Sequence, residues 1–429
     1  MMIKADLLIH SAAQVVTCAS IMPKRGEAMQ DVGMIADGAV VVKDGRILSI
    51  GPTESIRQQY SAPQTIDASG KVICPGFVDP HTHVVYAGER IGEFEQRIRG
   101  ATYLEIMAAG GGIVSTMRAT RQASVVELVE ATLPRLAQML RLGTTTVEVK
   151  TGYGLDLDSE LKMLQAIAAL DLAQPIDLVP TFMPAHAVPP EFNGRSDAYV
   201  EWVTNEMIPA AADWYRSSHF AEAGRPFFCD VFCEQNAFDL AQSRRVLEAG
   251  LVHGLLPKIH ADEFTPLGGV GLAVELGATS VDHLDVTTPE DVAKLADSDV
   301  VGIVLPAVNF NLGSHEFADA RALIDAGAAI ALSTDINPGS APCPSQPLVM
   351  AIATRYQQLL PAEAMNAATI NAAFGVGLAD TVGSLDPGKQ ADLLLLNCTD
   401  YRQLAYQFGG NLVDGVVKNG RLLPLVTNI

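Results

Sequence analysis

Between about residue 72 and residue 337 the chain repeats one unit eight times, a short apolar run, in most cases followed by a longer stretch of helical character. The runs lie at residues 72–78, 144–149, 176–182, 227–232, 256–259, 280–281, 300–305 and 329–332. In the stretches 124–142 and 159–172, apolar residues recur at the spacing of one helical face. A strand followed by a helix returns the chain for a parallel neighbour, and eight such units are the number that closes a (β/α)8 TIM barrel.

A barrel takes about 250 residues, and this chain has 429. The surplus lies at the two ends, and both read as β-structure. Residues 5–9, 40–42 and 47–50 are short apolar runs, the last two joined by the turn Lys43-Asp44-Gly45-Arg46. Residues 390–396 and 415–417 repeat the pattern, followed by Lys418-Asn419-Gly420-Arg421. The expectation is an α/β protein with a barrel over 71–384 and a small composite β-sandwich domain built from 1–70 plus 385–429.

Composition narrows the partners. A net charge of −20 disfavours a polyanion, so no nucleic acid is expected. No apolar run approaches the ~20 residues that cross a bilayer, and residues 1–16 lack a signal-peptide pattern. These features read as a soluble, cytoplasmic protein with no membrane partner. Of the six cysteines only Cys229 and Cys233 lie close together, and no second pair completes a zinc finger.

Polar residues gather at the ends of the runs, where barrel active sites are built: His81, His83, Lys150, His186, Glu234, His260, Glu263, His283, Asp335 and Asn337. His81 and His83 stand two apart on an extended segment, so both imidazoles can reach one cation. His260 and Asp335 follow the fifth and eighth runs. Neutral imidazoles plus one carboxylate suit zinc or iron and leave room for a water. A cation lowers the pKa of that water from ~15.7 to about 7, making hydroxide available at neutral pH. Glu263, His283 and Asp335 could manage protons. Lys150 introduces a second option, because a carboxylated lysine can bridge two metals in related barrels. Gly110-Gly111-Gly112 lacks the Gly-Lys-Ser/Thr ending of a phosphate cradle and reads as a tight loop.

The His-x-His after the first strand, His260, His283 and Asp335 resemble the amidohydrolase superfamily, as does the segment from Gly383 to Leu393. More specific stretches resemble the imidazolonepropionase family. They include Phe77 through His83, Gly143-Thr144-Thr145-Thr146, Val149 through Gly154, Ala185-His186-Ala187, Lys258 through Glu263, and Asp335 through Ser340. The resemblance runs from about Ala5 to Leu423 and implies a chemistry. One metal ion per chain, divalent or trivalent, would be held by His81, His83, His260 and Asp335. Substrate contacts would come from Arg90, Tyr153, His186, Asn337, Gly339 and Ser340, with Glu263, His283 and Asp335 as catalytic groups. The implied substrate is a small molecule with a carboxylate tail, 4-imidazolone-5-propanoate, which a planar guanidinium such as Arg90 can hold bidentately. Its ring would open by hydrolysis to N-formimino-L-glutamate, a step of histidine degradation, and the family implies a homodimer. Another mononuclear amidohydrolase, a cyclic-amide hydrolase or a nucleobase deaminase, would use the same metal site and is the alternative. A non-enzymatic barrel would be expected to lack one or more of the four ligands.

Overall fold

The computed structural model describes residues 2–101, 105 and 111–424, so Gly110 lies outside the described residues. Eight parallel strands follow one another in chain order: Phe77–Asp79 (β1), Thr144–Lys150 (β2), Asp177–Ala185 (β3), Phe228–Cys233 (β4), Leu256–Ala261 (β5), Ser280–His283 (β6), Val301–Val304 (β7) and Ala329–Leu332 (β8). Each hydrogen-bonds to the next, and helices fill the intervals. β7 and β8 read as unbroken apolar runs because both of their faces are covered, and both are buried throughout. Some of the helices are one-sided instead. Val125–Arg141 buries Leu128, Thr132, Leu136 and Met139 along one face. It starts at a capping box in which Ser124 accepts from the Glu127 N–H and Glu127 accepts from the Ser124 N–H.

The seam between β8 and β1 is bridged by side chains. Gln346 donates from Nε2 to both Val78 O (3.2 Å) and Leu332 O (3.3 Å). Asp79, at the end of β1, accepts from the hydroxyls of Ser333 and Thr334 just beyond β8. The Ser333 hydroxyl in turn accepts from the His81 N–H (2.9 Å). The first histidine of the His-x-His segment is thereby fixed to the strand at the other side of the closure.

A second, eight-stranded sheet draws strands from both ends of the chain. Leu393–Leu396 lies between Val413–Lys418 and Val72–Pro75, and Val72–Pro75 runs beside Leu7–Val16. The run at 72–78 is therefore two strands, not one. Val72–Pro75 belongs to this sheet, and after Gly76 the chain enters β1. Both halves are fully buried and apolar, so no polar residue marks the change. Alternation then assigns the faces. Ile73, Leu393, Leu395 and Val417 join the core of the terminal sheet, while Val72, Cys74, Leu394, Leu396 and Val416 join the core of the barrel. An ionic link reinforces the junction, since Lys418 Nζ lies 2.6 Å from both Asp177 at the start of β3 and Asp392. Among the described residues no helix is long and apolar enough to cross a membrane, and all six cysteines are free.

Candidate active site

At the C-terminal end of the barrel three imidazoles and a carboxylate converge. His83 Nε2 and His260 Nε2 are 3.3 Å apart, and Asp335 Oδ1 lies 3.5 Å from His81 Nε2 and 3.8 Å from His83 Nε2. His81 Nε2 and Asp335 Oδ1 are buried and have no hydrogen-bond partner. One nitrogen from each of His81, His83 and His260 lies within 4.8 Å of the others, and the same holds for a group of His81, His283 and Asp335. Burial, followed by the nearby Lys150, drives the His81 ring well below the ordinary histidine pKa, and burial followed by His186 does the same for His83. Both rings are neutral near pH 7, the state in which an imidazole can donate a lone pair to a cation. Facing lone pairs, an orphaned buried nitrogen and an orphaned carboxylate oxygen fit a metal ion, which would satisfy all of them together. His283 (φ 86°) and Asp335 (φ 50°) also take left-handed backbone conformations, local strain of the kind kept at functional positions.

Behind the imidazoles sits a buried charge network. His81 Nδ1 is 2.6 Å from Asp282 Oδ2 on β6, and His260 Nδ1 is 3.1 Å from Asp230 Oδ1 on β4. A proton on Nδ1, donated to the carboxylate, leaves the Nε2 lone pair facing the centre. Lys150 Nζ donates to Asp230 (2.7 Å) and Glu148 (2.8 Å) and lies 3.5 Å from Asp282. Burial alone would lower the Lys150 pKa, but Asp230, Glu148 and Asp282 more than reverse it, so this side chain is an ammonium. Asp230, His260 and Asp282 also have the spacing of a metal site, yet Lys150 already supplies their cation. A carboxylated Lys150 would set one more negative charge among three carboxylates, which the geometry opposes.

The other residues singled out from the sequence surround this cluster. The His186 ring stacks on His83 with centroids 4.7 Å apart, and Tyr153 lies 5.6 Å from His83 and 5.5 Å from His186. Burial holds His186 neutral, with its pKa lowered to about 3. Arg90 precedes the helix Ile91–Ile98, and its Nε donates to Glu93 (2.8 Å). A Cβ on Gly339 would lie 2.0 Å from Arg90 Nη1, so only glycine lets the guanidinium rest against this loop. Asn337 spends its polar atoms on the same loop, donating to Asp335 O (2.7 Å) and accepting from the Gly339 and Ser340 N–H groups (2.8 Å each). His283 lies between two acids, Nε2 3.7 Å from Glu263 and Nδ1 3.9 Å from Asp285. Burial, then Asp285, raises the Glu263 carboxyl well above the ordinary range, and burial raises Asp285 to about 7.

Glu148, Asp230, Asp282, Asp285 and Glu93 do not stand out in the sequence. Their signal is present but faint: Asp230 is an acid inside an otherwise apolar strand, Asp282 is an acid directly before His283, and Glu148 and Lys150 share one face of β2 two residues apart. Glu234, noted at a strand end, accepts from the N–H groups of Phe264 and Thr265 and so fixes the loop after β5.

The model of the amidohydrolase family matches residues 252–423. An imidazolonepropionase of Chloroflexus aggregans is 59% identical over 424 residues, 99% of each chain. That of Herpetosiphon aurantiacus is 51% identical over 419 residues, 98% of this chain and 97% of the other. Among solved structures, a zinc-bound adenosine deaminase from Xanthomonas campestris aligns over 98% of this chain and 93% of its own with a TM-score of 0.71 at 20% identity. E. coli guanine deaminase also gives 0.71, at 17% identity, with 97% and 98% covered. The deaminases share the fold alone, whereas the two relatives match over nearly the whole of both chains: the chain belongs to the imidazolonepropionase family of the amidohydrolases.

Proposed function

We propose that this chain hydrolyses 4-imidazolone-5-propanoate to N-formimino-L-glutamate, using one metal ion held by His81, His83, His260 and Asp335. The observation that carries the reading is the pairing of that donor set with Arg90, a guanidinium stationed against Gly339 on the loop that also carries Asp335. A cation there, zinc or iron by the chemistry of three nitrogens and one oxygen, supplies Lewis acidity and makes hydroxide accessible near pH 7.

The chain's own groups do the rest. Arg90 Nη atoms hold the propanoate carboxylate, while Glu93 occupies its Nε. Tyr153 and His186 flank the ring on the side of His83. Asn337 shapes the loop that presents Gly339 and Ser340. Water adds across the ring C–N bond: its oxygen goes to the carbonyl carbon, and the departing nitrogen gains a proton. Glu263, held protonated by burial, would give that proton and recover one from the attacking water, with His283 beside it as the neutral imidazole that steadies the developing oxyanion.

The test is to follow loss of the imidazolone absorbance and formation of N-formimino-L-glutamate by purified protein, beside a panel of nucleobases and other cyclic amides. Turnover confined to imidazolone propanoate is expected. Turnover of a panel member instead would replace this substrate while keeping the hydrolase.

A further inference from the structure

Glu160 is an acid in a place where an acid is costly. It lies in the first turn of the helix Leu157–Ala173, fully buried, and its partners are backbone and hydroxyl donors rather than a cation. Those partners all belong to one loop, the segment between β2 and this helix. Oε1 accepts from the N–H groups of Gly154 (2.7 Å), Leu155 (2.8 Å) and Gly152 (3.2 Å), and Oε2 accepts from Gly152 (3.0 Å). The Thr151 hydroxyl also bonds to it, and that hydroxyl accepts from the Met183 N–H (2.9 Å) on β3. The donors bracket Tyr153. Gly152 O is in turn the partner of His186 Nδ1 (3.1 Å).

One carboxylate thus gathers the amides on both sides of Tyr153 and reaches His186 through Gly152. Nothing else in this helix needs the acid, since Asp156 already caps the N-terminus by accepting from the Ser159 N–H. Burying an acid without a cation for a loop of five residues makes physical sense where the placement of the loop matters more than the cost. The close fit agrees, because a Cβ on Gly154 would lie 2.7 Å from the Glu160 nitrogen.

We propose that Glu160 is a positioning residue for the substrate ring, acting through the Thr151–Leu155 loop to fix Tyr153 and His186. This rests on the reading that those two side chains contact the substrate. The decisive variant is Glu160→Gln, which keeps the shape but turns one acceptor into a donor facing N–H groups. In metal-loaded protein it should lower kcat/KM about tenfold, mainly through KM, with metal content unchanged. In a Tyr153→Phe background the same substitution should cost only about threefold, because its effect passes through that residue. Independently of any substrate, amide hydrogen exchange across residues 151–155 should quicken in Glu160→Gln. An equal loss in both backgrounds, or unaltered exchange, would overturn the proposal. Absence of turnover in the wild type would defeat the substrate assignment instead, and exchange would still decide whether Glu160 holds the loop. Should Glu160→Gln fail to fold, Gly154→Ala displaces the same loop and must show the same pattern.

Discussion

The His81 ring is held from behind by Asp282 (2.6 Å), and the His260 ring by Asp230 (3.1 Å). Such partners fix the tautomer and aim of a ligand, and losing one typically costs about 10- to 100-fold in metal affinity. Asp282→Asn should therefore weaken metal retention by that order in a chelator competition, with the protein still folded. Gly339→Ala is expected to behave differently. Its methyl would displace the Arg90 guanidinium, so steady-state kinetics should show KM for imidazolone propanoate raised about tenfold or more, with metal content intact. At this scale His81, His83, His260 and Asp335 were legible because each follows an apolar run at a barrel strand end. Asp230, Asp282 and Glu148 were not, because the pairing of a buried acid depends on neighbouring strands that lie far away in sequence. Lys150 was noticed but its chemistry was not: only the three carboxylates around it reveal an ammonium.

At the scale of elements, closure of the barrel relies on a few side chains. Gln346 bridges Val78 and Leu332, and Asp79 ties the end of β1 to Ser333 and Thr334. Gln346→Leu would leave two buried carbonyls without that donor, an expected cost of about 2 kcal/mol in chemical denaturation. Because the His81 N–H is held by Ser333 at the same seam, metal affinity should fall along with stability. The eight strands were visible in the sequence as apolar runs. Their partition was not visible at 72–78, where hydrophobicity continues from Val72–Pro75 in one sheet into β1 of the other. The pairing of Val72–Pro75 with Leu393–Leu396 and with Leu7–Val16 separates them.

For the whole molecule, the terminal sheet and the barrel share a buried wall, with Leu394 and Leu396 turned to the barrel and Leu393 and Leu395 away from it. The Lys418–Asp177 pair crosses the same boundary. Burial would raise the Asp177 pKa, but Lys418 and Arg225 outweigh it and hold the carboxyl below its ordinary value. A depressed acid stabilises the fold fully above its unfolded pKa of about 3.9, and the contribution disappears as pH falls through the folded value. Asp177→Asn should thus destabilise by about 2 kcal/mol near pH 7, between the surface and buried ranges for ion pairs. The difference from wild type should shrink below about pH 4, as thermal melts across pH would show.

The most direct measurement is turnover of imidazolone propanoate by protein stripped of metal and then reloaded, with metal counted in each sample. A single catalytic metal site predicts no turnover after stripping and recovery at one zinc or iron per chain. Full activity in the stripped protein, or recovery only at two ions per chain, would contradict it.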